Sequence, residues 1–203
     1  MSVRDLKVWV LAASTGGVHA VPRFLSLVRC RSDMAFVYVQ HLAEEQHPHL
    51  LQIVRRHCDW RVTGVNYGCA LKGGAVLVPS ADERFDIGDD GVLGVTDKDG
   101  WKPPYRPNID DVAEQIGLFY REMAGIIIFT GMGKDGCRGS TLIHRHGGKV
   151  WVQRPDTCAA VSMPESVSQC LEPEFMGSVD ELANEFNKRE CAVPAGRAGG
   201  GKK

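Results

Sequence analysis

Three polar residues each close a short apolar run. Ser14 follows VWVLAA, His41 follows FVYVQ, and Asp135 follows IIIFTGMGK. A serine hydroxyl becomes a nucleophile when a neighbouring imidazole takes its proton, and a carboxylate on the other ring nitrogen sets the tautomer. The runs are four to six residues of Val, Ile, Phe, Tyr and similar side chains, the pattern of buried parallel strands. In an open α/β sheet the ligand crevice lies beyond the carboxyl ends of the strands. Serine, histidine and aspartate therefore converge on one edge, as nucleophilic acyl transfer requires.

Each residue also has a plainer reading. Ser-Thr-Gly-Gly (14–17) between strand and helix is equally an anion cradle at a helix N-terminus. It lacks the P-loop lysine and the full G-x-G-x-x-G spacing, and it is no G-x-S-x-G elbow. On the motif alone, nucleophile and phosphate loop stand level. His41 by itself is as readily structural, and Asp135 by itself as readily an N-cap. Together they make a base and its orienter. Gly131, Gly133 and Gly136 shape a loop whose backbone N–H groups suit an oxyanion hole. His41, His47, His49 and His57 cluster with Cys58, yet no H-E-x-x-H or C-x-x-C spacing accompanies them. His144 and His146, two apart on a helix, face different ways. The sequence thus predicts no metal site and no cofactor.

Stepping outward, strands are predicted at 8–13 and 34–40, with a helix between them that carries Pro22 in its first turn. His47 and His49 fall in a loop before the helix LLQIVRRHC. Residues 61–97 read as short strands broken by Gly-Asp-Asp-Gly and Gly-Gly turns, an antiparallel patch at one sheet edge. A proline-rich loop leads to the helix IDDVAEQIGLFYREM, capped by Asn108. IIIFT is the central strand, followed by the helix CRGSTLIHRHG, the strand KVWVQ, a helix starting at Pro164, and the closing helix VDELANEFNKREC. The expected fold is α/β: a doubly wound, mostly parallel sheet flanked by helices, with a small antiparallel edge patch. One domain spans 1–190, and the small, glycine-rich 191–203 is a disordered tail. Of 203 residues 43% are hydrophobic, enough for a real core, and the net charge is -1. That balance gives no nucleic-acid or membrane-surface footprint. No apolar run is long enough to span a bilayer, and the first residues mix charges without a secretory h-region. With seven cysteines and no C-x-x-C pair, the expectation is reduced thiols in the cytoplasm.

Several blocks, in order, resemble the catalytic domain of the chemotaxis-type protein-glutamate methylesterases. They are AASTGGVHAVPRFL, VYVQHL, GAVLVPSADERF, PPYRPNIDDV, FTGMGKDGCRG and GGKVWVQRPDTCAAVSMPESV, covering roughly residues 8–185 with the closing helix. The resemblance implies a serine hydrolase acting on glutamate γ-methyl esters of chemoreceptor cytoplasmic helices, with glutamine deamidation as the same acyl chemistry. It implies Ser14 as nucleophile, His41 as base and Asp135 as orienter. It places Thr15 in the active-site motif, the backbone N–H of Met132 at the oxyanion, and Arg106 and Asp110 on a loop near the site. The implied partner is a methylated chemoreceptor; typical members carry an N-terminal receiver domain, and with the first strand beginning within ten residues of Met1 the expectation is either an excised or standalone catalytic domain or regulation by another protein, a separate receiver domain or a histidine kinase. Two more departures stand out. AEEQHPHL, with Glu44 and Glu45, replaces a proline-rich and aromatic segment, and Ser162 replaces a glycine before Met-Pro. The competing readings are a non-catalytic receptor-docking domain and a small-ester hydrolase on the same fold.

Overall fold

Alternation along the strands builds two apolar layers around one sheet. The computed structural model describes residues 3–29, 31–95, 101 and 103–191. Its strands are β1 (Lys7–Ala13), β2 (Met34–Gln40), β3 (Arg61–Thr63), β4 (Ala75–Leu77), β5 (Asp86–Ile87), β6 (Leu93–Gly94), β7 (Ala124–Ile128), β8 (Lys149–Gln153) and β9 (Phe175–Gly177). Its helices are α1 (Gly17–Leu27), α2 (His47–His57), α3 (Ile109–Tyr120), α4 (Cys137–Arg145), α5 (Ser162–Cys170) and α6 (Val179–Arg189). Seven strands form one sheet in the order β3-β4-β2-β1-β7-β8-β9, and every pairing in it is parallel.

On β1, Val8, Val10 and Ala12 face a core shared with Ile109, Val112 and Ile116 of α3, Ile143 of α4 and Val167 of α5. Trp9, Leu11 and Ala13 face the other core, shared with Phe24 of α1, Val54 of α2 and Phe186 of α6. Three helices therefore cover each face. Fully buried strands such as MAFVYVQ have no polar side to show, which is why their sequence runs apolar without alternation. The chain leaves β1 toward β2 on one side and leaves β7 toward β8 on the other. The topological switch point lies between the carboxyl ends of β1 and β7, where such folds open a crevice.

Several sequence expectations are corrected in detail. The RVT and AVL segments of the 61–97 region are parallel strands of the main sheet, and only β5 and β6 pair antiparallel. Period-two patterning does not distinguish the two directions in strands of three residues. Residues 96 and 97 of that region, and 192–203 of the predicted tail, lie outside the described residues, whereas Cys191 is buried. Pro22 is the sixth residue of α1, not in its first turn, and Pro164 is the third residue of α5. Burial of Val21, Phe24 and Leu25 holds α1 through the missing backbone bond. His47 opens α2 instead of sitting in a loop. Finally, Cys137 and Cys170 form a disulfide with Cα atoms 6.1 Å apart, so the thiols are not all reduced in this structure. Cys58, Cys69, Cys158 and Cys191 are free. A pairing across 33 positions leaves no spacing signature. Among the described residues no helix is long and apolar enough to cross a membrane.

Candidate active site

Ser14 and His41 are the residues just beyond the paired ends Ala13 and Gln40 of neighbouring strands. The His41 N–H donates to the Ala13 carbonyl at 3.1 Å, and the Ser14 N–H to the Thr130 carbonyl beyond β7 at 3.1 Å. Gln40, buried at the end of β2, joins the two positions. Its amide donates to the carbonyls of Ser14 (2.8 Å) and His41 (3.1 Å), and its oxygen accepts the Tyr38 hydroxyl at 2.8 Å. Burial pushes the Tyr38 phenol well above its usual range, so it stays a donor. Sequence reasoning missed Gln40, although a lone amide closing an otherwise apolar strand is a readable signal.

The His41 ring meets Asp135, whose Oδ2 lies 2.8 Å from Nε2. Facing a carboxylate, Nε2 is the nitrogen that donates, and Nδ1 lies on the side of the ring away from Asp135. Asp135 is almost wholly buried, with 1% of its side chain exposed, against 12% for His41. Its carboxylate also accepts N–H bonds from Ile109 (2.7 Å) and Asp110 (2.9 Å), the first two residues of α3. The α3 N-terminus thus neutralises a buried charge. Asp110 returns the favour: its Oδ1 accepts the N–H of Gly136 (3.0 Å) and Gly139 (2.8 Å) at the start of α4. The predicted N-cap role of Asp135 is real in kind, but the helix it caps is the preceding one. Burial raises the Asp110 carboxyl, with the charge of Asp135 adding to it against the two N–H bonds. Asn108 caps α3 through the Asp111 N–H at 2.9 Å, as the sequence predicts.

The Gly131–Lys134 segment faces the serine. A side chain at Gly131 would come within 2.9 Å of Ser14 Cβ and crowd Met163, so only glycine admits this approach. The segment is held from below by Gly131 N–H to Ala160 carbonyl (3.0 Å) and Met163 N–H to Gly131 carbonyl (3.1 Å). Ser162 Oγ accepts the Gly133 N–H at 3.0 Å, so this chain's Ser162 adds a tie that a glycine could not. Among the described residues the N–H groups of Thr15 and Met132 donate to no protein acceptor. No hydrogen bond joins the Ser14 hydroxyl to His41 in this state, and such bonds often tighten only around substrate. Cys158 is the nearby rival nucleophile. Burial, then Asp156 and Glu165, push its thiol up to about 11, so it is protonated at neutral pH.

Around this centre, Tyr105 stacks on the His41 ring with centroids 4.8 Å apart and planes 11° from parallel. Arg106 is exposed, and its carbonyl accepts the Leu42 N–H at 3.2 Å. Glu44 and Glu45 are exposed just past His41, and hydrogen bonding with Asp82 raises the Glu44 carboxyl. Two other histidines of that stretch contact backbone, His47 with Nε2 2.9 Å from the Val78 carbonyl and His57 with Nδ1 2.7 Å from the Ile53 carbonyl, while His49 is exposed on α2. Among the described residues no three His, Cys, Asp or Glu side chains are grouped to hold a metal ion.

Fold and edge together define a class: a doubly wound α/β domain with serine, histidine and aspartate gathered at its switch point. The chain belongs to the CheB methylesterase family, whose model matches residues 9–186. It is 26% identical over 165 residues to a Saccharophagus degradans protein named protein-glutamate methylesterase/protein-glutamine glutaminase 1, covering 81% of this chain and 45% of that one. A relative from Leptospira interrogans is 25% identical over 178 residues, 87% of this chain and 91% of its own. The chain spans about half the length of several other curated relatives it matches. The fold is that of the crystal structure of the Thermotoga maritima CheB methylesterase catalytic domain, with a TM-score of 0.83, 22% identity, and 90% and 98% of the two chains covered.

Proposed function

We propose that this domain is a protein-glutamate methylesterase acting in the cytoplasm on methylated chemoreceptors. The observation that carries the reading is the 2.8 Å His41–Asp135 contact beside Ser14 at the switch point of a CheB-family fold. In this reading His41 Nδ1 takes the Ser14 proton as Oγ attacks the ester carbonyl of a glutamate side chain. The Thr15 and Met132 N–H groups receive the developing oxyanion. The imidazolium returns its proton to the methoxy oxygen, methanol leaves, and an acyl-serine remains. Water then attacks with His41 again as base, releasing the glutamate carboxylate and restoring Ser14. Asp135 holds the ring through Nε2. Ammonia in place of methanol gives glutamine deamidation by the same steps. Met132, 62% exposed, offers apolar contact to a helical substrate beside the nucleophile. Arg106 belongs to the substrate loop, and Asp110 acts by building the loop that carries Asp135. A receiver domain or a histidine kinase supplies control.

The test is methanol release from membranes bearing methyl-labelled chemoreceptors. Ser14→Ala is expected to reduce turnover by on the order of 10⁴–10⁶ without changing the fold. Wild-type turnover in the alanine variant would rule out the serine mechanism.

A further inference from the structure

The parallel stack on His41 is not part of the Ser-His-Asp chemistry, yet it covers the ring that does the proton transfer. We propose that Tyr105 is a positioning residue for the base: its ring clamps the imidazole against Asp135, and its hydroxyl ties the same clamp to the oxyanion loop. This rests on the reading of His41 as the general base.

Three observations place Tyr105 in that role. The ring lies face to face with His41 at 4.8 Å and 11°. The imidazole is therefore held between an aromatic face and a carboxylate at Nε2, and 12% of the side chain is left exposed. The Tyr105 hydroxyl accepts the Lys134 N–H at a long 3.4 Å. Gly133, at φ +102°, leaves the space that hydroxyl fills, since a side chain there would come within 2.5 Å of it. Tyr105 thus touches both the base and the segment that carries Met132.

The physical consequence is selective. An aromatic face attracts a cation more than a neutral ring. In the proposed reaction the His41 ring gains a positive charge as it takes the serine proton. The stack is then stronger in the transition state than in the ground state, which is the condition for raising kcat instead of lowering KM. A second effect is steric. The ring restricts the imidazole to the orientation that keeps Nε2 on Asp135, a preorganisation no substrate contact has to supply.

The experiment compares wild type, Tyr105→Phe and Tyr105→Leu in methanol release, with proton NMR of the imidazole N–H resonances and thermal denaturation on the same samples. His41→Gln identifies the His41 resonance. Phe keeps the flat face and loses the hydroxyl; Leu keeps apolar bulk and loses the face. The expected result is a fall in kcat of roughly two- to thirty-fold in Tyr105→Leu with KM unchanged. The downfield Nε2 proton of His41 should broaden through solvent exchange in that variant alone. Tyr105→Phe should keep most of the turnover and the resonance. Tyr105 is half-exposed on a loop, so Leu should fold; Tyr105→Met is the second aliphatic variant if it does not. Leu turning over like wild type with its His41 proton intact would overturn the proposal, as would Phe falling as far as Leu. Loss of the resonance in Leu alone, with no methanol released even by wild type, would uphold the clamp and sink the methyl-ester reading.

Discussion

Asp135 and Asp110 are one device at the residue scale: each carboxylate caps the helix that bears or follows the other. The raised Asp110 carboxyl has a signed consequence. A group whose folded value lies above its unfolded one favours folding most below the unfolded value, and that advantage is lost as pH rises through the folded value. The Asp110 charge is therefore a local cost beside Asp135, borne for the two N–H bonds it accepts. Asp110→Asn keeps an acceptor and removes the charge, so its thermal midpoint should gain on wild type from acid to neutral pH. Asp110→Ala should lose about 1–2 kcal/mol because two amides at the start of α4 lose their partner. Thermal denaturation across that pH range measures both; an Asn variant as damaged as Ala would show that the charge itself is needed. Ser14, His41 and Asp135 were legible because each is a chemically apt residue at the end of a strand run. Tyr105 was not, because it sits in the proline-rich loop and no periodicity says which ring a loop tyrosine will cover.

Among the elements, α4 and α5 show what a linear reading misses. Cys137 opens α4 two residues after Asp135, and Cys170 closes α5, so their disulfide fastens the base's support to the opposite end of a neighbouring helix. Closing a loop of that length constrains the unfolded chain by about 3–4 kcal/mol in the chain-entropy account. Oxidised wild type should therefore unfold at higher urea than Cys170→Ser, and reduction should erase the difference. Thiol titration of the denatured chain should gain two groups on reduction. Equal midpoints for the oxidised proteins would show that the bond adds nothing to stability. In a reducing cytoplasm the pair would stand as two thiols. The six helices were legible from apolar spacing and from signals such as Asn108, Pro164 and Gly147. β9 was not, since FMG is too short for a pattern and exists only because its backbone joins the edge of β8. The parallel sense of β3 and β4 was hidden for the same reason.

For the whole molecule, the terminal segments close on Glu190. It is 4% exposed and accepts from Lys7 of β1 at 3.0 Å and from Lys149 of β8. Burial alone would raise this carboxyl, but the two lysines outweigh it and hold it below the usual range. The sign is opposite to that of Asp110. Stability from Glu190 is present above the unfolded value and is lost as pH falls through the folded one. Glu190→Gln should cost about 1–2 kcal/mol at neutral pH, since both lysines remain partly solvated, and should flatten the acid side of the stability profile. Urea midpoints across pH test this; parallel profiles for the two proteins would exclude Glu190 as the source of the acid dependence. By itself the sequence determined the fold class, the central strands and the three residues of the proposed chemistry, because burial on both faces forces apolar runs and parallel topology puts their ends on one edge. Only the tertiary structure decided which ring nitrogen meets Asp135, which helix that aspartate caps, what lies on the His41 ring and which cysteines meet. Those depend on side-chain directions between segments far apart in sequence, where spacing carries no information.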